Sequence, residues 1–332
     1  MINQQWLING NPRGRPVLQS DFKQHDAELE KLSAGQVRVK VEHLGFNPSQ
    51  KGQMENISGY TSGAAIGDVM GASGIGEVLE TTVPDQFPVG TKVLGSMGWQ
   101  EYATMRARDL TGILDDDLLT AHLGPLGGTG LTAYFGLLKV GCPEPGDTVL
   151  VSGAAGAVGS IVGQIANLMD CKTVGTAGGP EKCQWLLDEV GYNHAIDYKS
   201  GDIKQQLKAA CPEGINVFFD NVGGPVLNDA LARIANFSRI VICGGISRYE
   251  QETLPDGPAN YFNIVFRQAK IEGFLLSGYE REYALARSRI AQWIRSGDIV
   301  YKEDVQEGFD NIPKSLLRLF SGQNFGKQLL KL

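Results

Sequence analysis

The chain lacks any long apolar run. No part of its 332 residues approaches the roughly 18 consecutive apolar residues that a membrane-spanning helix needs. The first six residues, MINQQW, lack the basic start and apolar stretch that are typical of a secretory signal. We therefore expect a soluble, cytoplasmic protein.

An excess of basic residues is absent as well. Lys and Arg total 30 against 37 Asp and Glu, which gives a formal net charge of −7 at pH 7. Nucleic acids and anionic membrane surfaces attract proteins through a basic field, so we expect neither as a partner.

Closely spaced metal ligands are missing too. The nearest two cysteines, Cys171 and Cys183, lie twelve residues apart in the chain, and the four histidines are equally dispersed. This spacing excludes the paired cysteines of zinc ribbons. A scattered, odd set of cysteines is typical of reduced core residues. We expect no metal site.

The remaining composition favours two domains of a globular protein. Hydrophobic residues make up 42% of the chain and charged residues 20%, which suffices for a sizeable core. The first third alternates like β-strands at 37–41, 74–79 and 91–94. From about residue 130, short apolar strands alternate with helical patterns, which is typical of a doubly wound parallel sheet. Six strands are predicted: 148–152, 172–177, 195–198, 216–220, 239–243 and 271–276.

A glycine-rich turn follows the first of these six strands. Residues 151–159 read VSGAAGAVG, and apolar residues at helical spacing come next. The glycines are spaced GxxGxxG rather than GxGxxG, so the generic dinucleotide fingerprint is not met. A backbone without Cβ lets a pyrophosphate approach the N–H groups at a helix start. A tight turn without ligand remains the alternative, but the strand–helix context favours a dinucleotide.

The end of the second strand distinguishes NADP from NAD. An NAD site usually has an acidic residue there, to bind the ribose 2′-hydroxyl. Here the sequence is Thr176-Ala177-Gly178-Gly179-Pro180, and Lys182 follows. A carboxylate would repel a 2′-phosphate and an ammonium would pair with it, so we predict NADP(H). The alternative is that Lys182 is merely solvated at a helix start.

Several motifs carry a family resemblance over essentially the whole chain. They are GLTAY at 130–134, AAGAVGS at 154–160, DNVGG at 220–224, CGGIS at 243–247, NGNPRGRP at 9–16, GWQEY at 98–102 and GQNFGK at 322–327. With these motifs the chain resembles zinc-independent medium-chain dehydrogenase/reductases. It is most similar to the branch of prostaglandin and leukotriene reductases, plant alkenal double-bond reductases and bacterial curcumin reductase.

The resemblance implies an α/β fold of two domains. A GroES-like, β-rich substrate domain would comprise 1–126 and 298–332, and a Rossmann NADP-binding domain 127–297. It also implies a homodimer and NADPH-dependent reduction of the carbon–carbon double bond of a small hydrophobic α,β-unsaturated ketone or aldehyde. Hydride would go to the β-carbon, and the resulting enolate would be protonated.

The resemblance also implies a set of cofactor contacts. They are Thr132, Ala154, Ala155, Gly156, Ala157, Val158, Gly178, Lys182, Tyr198, Asn221, Cys243, Gly244, Gly245, Ile246, Ser247, Tyr249, Phe274, Leu275, Leu276 and Asn324. Lys182 and Tyr198 would hold the 2′-phosphate. Structural alternatives stay open: Asn221 as a turn cap, Tyr198 closing a strand edge and Thr132 capping a helix over 131–138.

The sequence departs from the branch where a proton donor is expected. The branch usually has DPYMRGRM where residues 47–54 read NPSQKGQM, so Ser49 replaces a tyrosine. Phe266 replaces another. Tyr60 is the first candidate for the lost phenol, followed by Tyr261 and Tyr279. Each could be a packed aromatic instead, and solvent could protonate the α-carbon.

Two alternatives to a double-bond reductase follow from these departures. A quinone reductase would use the same fold and cofactor and require less of the pocket. A non-catalytic NADPH-binding protein would need no proton donor at all.

Overall fold

The computed structural model describes residues 2–56, 63–114, 116–253 and 255–332. They form two compact units: unit 1 is Met1–Leu123 with Glu303–Leu332, and unit 2 is Gly124–Lys302. The predicted boundaries after 126 and 297 lie a few residues from these limits. The assignment of substrate to one unit and of cofactor to the other stays a prediction. Among the described residues, no helix has the length and apolar character needed to cross a bilayer.

The strands and helices are numbered in chain order. The strands are β1 Ile2–Ile8, β2 Phe22–Glu28, β3 Gln36–Gly45, β4 Ser73–Thr81, β5 Lys92–Gly95, β6 Tyr102–Arg106, β7 Thr111–Gly112, β8 Thr148–Val151, β9 Lys172–Ala177, β10 His194–Asp197, β11 Ile215–Asp220, β12 Ile234–Ile242, β13 Lys270–Gly273, β14 Glu303–Glu307 and β15 Lys327–Lys331. The helices are α1 Ser49–Met54, α2 Gly128–Phe135, α3 Gly159–Leu168, α4 Pro180–Asp188, α5 Ile203–Ala210, α6 Gly224–Leu231, α7 Asn263–Phe266, α8 Tyr283–Ser296 and α9 Ile312–Phe320. A π-helical segment, Gly136–Gly141, continues α2.

Unit 1 is built on a sheet that joins both ends of the chain. Its strand order is β14-β15-β3-β4-β5-β7, with β6 paired to β3, and β1 and β2 form a separate antiparallel pair. The strand predicted at 37–41 is confirmed as part of β3, in which Val37, Val39 and Val41 are buried, but Arg38 between them is buried as well. The last strand, β15, pairs antiparallel to β3 and places Leu330 opposite Leu44.

Unit 2 contains the predicted parallel sheet. Its strand order is β10-β9-β8-β11-β12-β13, and all neighbouring strands pair in parallel. This is the doubly wound order, in which β9 and β10 follow on one side of β8 and β11, β12 and β13 follow on the other. All four residues of β8 are buried, as a strand covered by helices on both faces requires. The prediction at 271–276 ran too long, because β13 ends at Gly273.

Helix α3 lies unusually close to its neighbours. A Cβ at Gly163 would lie 2.2 Å from Cζ of Tyr192, and a Cβ at Gly159 would lie 2.5 Å from the carbonyl oxygen of Gly153. The Tyr192 hydroxyl donates a 2.7 Å hydrogen bond to the carbonyl oxygen of Gly159. The small residues of α3 therefore set its distance from the turn that precedes it.

Substitution of Gly163 tests this close packing. We expect Gly163→Ala to lower the free energy of unfolding by about 1–3 kcal/mol, because the new methyl group overlaps the Tyr192 ring. The measurement is urea unfolding followed by circular dichroism. Gly257→Ala is the matched control, since among the described residues no atom beyond its chain neighbours lies within 4 Å of its Cβ position. Equal stability of both variants would contradict the packing argument.

Candidate functional site

The candidate site lies where β8 and β11 end side by side. In doubly wound sheets, ligands bind outside the carboxyl ends of the strands at the point where the strand order reverses. In unit 2 this point is between β8 and β11, which pair through Phe219 and Val151. The loops after β8, β9, β11 and β12 carry most of the residues that the sequence predicts for the cofactor.

The glycine turn has the shape that a pyrophosphate requires. Gly153 has a φ of +61°, and Gly159 leaves no space for a Cβ beside the Gly153 carbonyl. Helix α3 starts at Gly159, directly after Val158, whose apolar side chain cannot cap it. The first N–H groups of a helix point away from it and attract anions. The predicted contacts from Ala154 to Val158 all belong to this turn.

A buried carboxylate ties this turn to the loop after β11. One oxygen of Asp220 accepts hydrogen bonds from the Ser152 hydroxyl at 2.7 Å and from the N–H groups of Val222 at 3.0 Å and Gly223 at 2.9 Å. Burial raises the pKa of the Asp220 carboxyl, and these hydrogen bonds partly offset the effect. Its other oxygen is buried and has no hydrogen-bond partner within the described residues.

Asn221 completes the connection between the two loops. Its amide nitrogen donates a 2.7 Å hydrogen bond to the Ser152 carbonyl, and its backbone N–H donates to the Ser152 hydroxyl at 2.8 Å. Asn221 therefore joins neighbouring strand ends rather than capping only its own turn. The sequence prediction missed Asp220 and Ser152. The available signal was an acidic residue directly after the apolar run Val217–Phe219.

The loop after β12 packs onto the loop after β11. The N–H groups of Cys243 and Gly244 donate to the Asp220 carbonyl at 2.9 and 3.1 Å. The Ser247 hydroxyl donates to the Val222 carbonyl at 2.6 Å. Gly245 and Ile246 lie between them, and Tyr249 follows the turn Ile246–Arg248. The structure thus brings 243–249 beside Asn221, next to the glycine turn.

The ends of β9 and β10 form a second, more polar part of the site. A Cβ at Gly178 would lie 2.6 Å from the Tyr198 hydroxyl oxygen and 3.0 Å from Cε of Lys199. Lys182 lies in the first turn of α4, just after these glycines. The structure thus places the predicted Lys182 and Tyr198 at adjacent strand ends. Lys199 is a further cation there that the sequence prediction missed, because nothing in its local pattern distinguishes it.

A carboxylate also lies at the ends of β9 and β10, and it accepts hydrogen bonds from backbone N–H groups there. Asp197 accepts hydrogen bonds from the N–H groups of Gly179 at 2.8 Å and Lys199 at 2.9 Å. These two bonds are the main reason why the pKa of Asp197 is lowered. Its charge holds the loop after β9, where Gly179 has a φ of +102°.

The apolar part of the site surrounds α2. The Thr132 hydroxyl donates a 2.7 Å hydrogen bond to the Gly128 carbonyl, so it bonds back along α2 rather than capping a helix start. Leu276 lies 4.0 Å from the Cβ position of Gly128. Phe274 packs on Gly136, where a Cβ would lie 2.5 Å from its ring. Leu275, between these two apolar residues, is exposed.

The candidate proton donors Tyr261 and Tyr279 both lie in unit 2 and contact different aromatic residues. Tyr279 stacks on Phe135, with ring centroids 4.7 Å apart. Tyr261 is 60% exposed and lies edge-to-face with Phe262, next to the exposed Phe266. Tyr60 lies outside the described residues.

Two predicted residues belong to unit 1. Ser49 is the first residue of α1 and is half-buried. The Asn324 amide donates a 3.1 Å hydrogen bond to the Gly326 carbonyl, just before β15. The roles of the predicted residues stay predictions. No group of three His, Cys, Asp or Glu side chains that could hold a metal ion occurs in the described part of the chain.

Comparisons with known proteins cover the whole chain. Residues 4–113 match the family described as "N-terminal domain of oxidoreductase", and residues 157–292 match "Zinc-binding dehydrogenase". The chain is 38% identical to prostaglandin reductase 1 of Bos taurus, with 98% of each chain covered. It is 33% identical to the NADPH-dependent curcumin reductase of Escherichia coli, covering 99% of this chain and 96% of the relative.

One solved structure is similar to this chain over nearly its whole length. CurA from Vibrio vulnificus, in complex with NADPH, superposes with a TM-score of 0.92 and 33% identity, over 99% of this chain and 98% of that chain. The predicted α/β fold is therefore confirmed. The chain belongs to the medium-chain dehydrogenase/reductase family, in the branch that contains curcumin reductase and prostaglandin reductase 1.

Proposed function

We propose that this chain reduces the conjugated carbon–carbon double bond of small hydrophobic enones or enals with NADPH. The observation that carries the proposal is the hydrogen-bonded set of loops at the ends of β8 and β11. The chain that carries them is similar throughout to an NADPH-dependent curcumin reductase and to CurA in complex with NADPH. In this proposal, unit 1 is the substrate-binding domain and unit 2 is the NADP(H)-binding domain.

Residues of unit 2 would hold the charged groups of NADPH. Lys182, Lys199 and Tyr198 would hold the 2′-phosphate, because two ammonium groups and a hydroxyl suit a dianion. The glycine turn and the first N–H groups of α3 would hold the pyrophosphate. Asp220 would not touch the cofactor and would instead keep the surrounding loops in place.

Beyond binding NADPH, the proposed reaction requires few groups of the protein. Bound NADPH supplies a hydride to the β-carbon of the substrate. Apolar side chains such as Phe274 and Leu276 would exclude water beside it. Negative charge then develops on the substrate oxygen, which a hydrogen-bond donor stabilises before the α-carbon takes a proton. Ser49, Tyr60, Tyr261 and Tyr279 are the proposed candidates, and a solvent proton would also serve.

Turnover with a small panel of acceptors tests the reaction. We expect NADPH oxidation with an alkenal, an aryl enone or a cyclic enone, and a saturated carbonyl compound as the product identified by mass spectrometry. Turnover of a simple quinone without any enone would replace the proposal by a quinone reductase. NADPH binding without turnover of any acceptor would favour a non-catalytic role.

The cofactor preference depends on charge at the ends of β9 and β10. We expect Lys182→Ala to weaken NADPH binding by about 1.5–3 kcal/mol, the range for hydrogen bonds to charged groups, and to leave NADH binding nearly unchanged. Fluorescence titration with each cofactor measures both. Lys172→Ala, at the opposite end of β9, is the matched control. Equal losses for both cofactors would remove Lys182 from the 2′-phosphate site.

The proposed homodimer would use the outer edge of the parallel sheet. Strand β13 is exposed along its length and pairs with β12 on one side. Exposed apolar side chains precede it at Phe262, Val265 and Phe266. An exposed strand edge with apolar neighbours favours pairing with a second chain.

A charge in this surface tests the dimer. We expect Phe266→Lys to convert a dimer to a monomer in sedimentation velocity, because a dimer would bury the new ammonium. Val89→Lys, an exposed apolar position in unit 1, is the control and should leave the mass unchanged. A wild-type monomer, or a Phe266→Lys variant that remains dimeric, would contradict this interface.

A further inference from the structure

The start of α1 is held by contacts from distant parts of unit 1. Helix α1 begins at Ser49, and the preceding Pro48 has no polar side chain to cap it. The Gln50 side chain accepts the Asn47 N–H at 2.9 Å and donates to the Gly71 carbonyl at 2.8 Å. These bonds fix one side of the turn that leads into α1.

A buried lysine fixes the other side. Lys327 is 3% exposed at the start of β15. Its ammonium donates to the Phe46 carbonyl at 2.9 Å and to the side-chain oxygen of Asn47 at 2.8 Å. Both acceptors are neutral, so neither one compensates the positive charge. Hydrogen bonds from an ionised donor are about twice as strong as those between neutral groups.

The charged group that acts on Lys327 is a carboxylate on the neighbouring strand. Glu303 lies opposite Lys327 in the register of β14 and β15. Its Oε1 atom is buried and has no hydrogen-bond partner in the part of the chain that is described. The next carboxylate on β14, that of Asp304, is occupied by Arg318 of α9 at 2.6 Å.

Burial dominates the titration of this pair. It lowers the pKa of Lys327 to about 7, and Glu303 opposes the effect. Burial likewise raises the pKa of the Glu303 carboxyl. The lysine thus loses its proton in a pH range where exposed lysines remain charged.

A second buried lysine shows the contrast. Lys51, in the middle of α1, pairs with Glu55 one turn later and donates to the Pro12 carbonyl at 3.0 Å. Lys51 therefore has a bonded carboxylate partner, whereas the two hydrogen bonds of Lys327 go to neutral oxygens.

We propose that Lys327 is a positioning residue whose positive charge holds the start of α1, and with it Ser49, in place. The inference rests on the proposed function, because the reaction is expected to use the position of Ser49. A neutral amine would keep weaker hydrogen bonds to Phe46 and Asn47, so the turn would loosen as the pH rises.

Hydrogen–deuterium exchange tests the restraint without any substrate. We expect Lys327→Met to speed exchange in the peptide covering 46–54 and Asn47→Asp to slow it, because the new carboxylate pairs with the ammonium. Peptides from α3 should not change. Lys331→Met, an exposed lysine on the same strand, is the matched control. Unchanged exchange over 46–54 in Lys327→Met would overturn the proposal, whether or not the protein reduces enones.

The pH dependence of turnover tests the role of the charge. In the wild type, kcat/KM should fall on the alkaline side with an inflection near the pKa of Lys327, about 7. Asn47→Asp should move this inflection upward by about 1–3 pH units, as a nearby opposite charge does. Lys327→Met should lower kcat/KM and remove the inflection, with NADPH affinity unchanged. An inflection that stays in place in Asn47→Asp would contradict the role of the charge.

Discussion

The candidate cofactor site depends on one buried carboxylate, that of Asp220. Its single bonded oxygen joins the turn after β8 to the loop after β11, and its backbone carbonyl accepts two N–H groups from the loop after β12. Three strand ends are thereby fixed to one residue that no solvent reaches. Because a buried acceptor without donors costs about 1–3 kcal/mol, the loops and the carboxylate stabilise one another. The geometry of the glycine turn follows from this arrangement.

In unit 1, buried lysines rather than a buried carboxylate hold backbone groups in place. Lys51 and Lys327 are both buried, and both donate to backbone carbonyls near α1. A lysine can reach such carbonyls across a core because its long stem packs among apolar side chains. The helix that carries Ser49 is short, so its orientation comes from these tertiary contacts rather than from its own hydrogen bonds.

Most of the architecture could be predicted from the sequence because its signals are local. A short, mostly apolar run such as 148–151 predicts a buried strand, and the glycines after it, followed by apolar residues at helical spacing, predict a tight entry into a helix. The predictions failed where contacts with residues distant in the sequence determine the structure. The strand predicted over 271–276 ends at Gly273, which is where its pairing with β12 ends. Asp220 and Lys199 lie against residues that follow other strands, Ser152 and Gly178, and such contacts leave no pattern in the local sequence.

The two units differ in which segments of the chain form them. Unit 2 is one continuous segment, whereas the unit 1 sheet takes β14 and β15 from the last thirty residues or so. Leu330 completes the unit 1 core only after all of unit 2 has been synthesised. The parallel sheet can therefore form during synthesis while β3 still exposes the edge that β15 will cover. The contacts between the chain ends are of long range, which makes the folding of unit 1 the slower event.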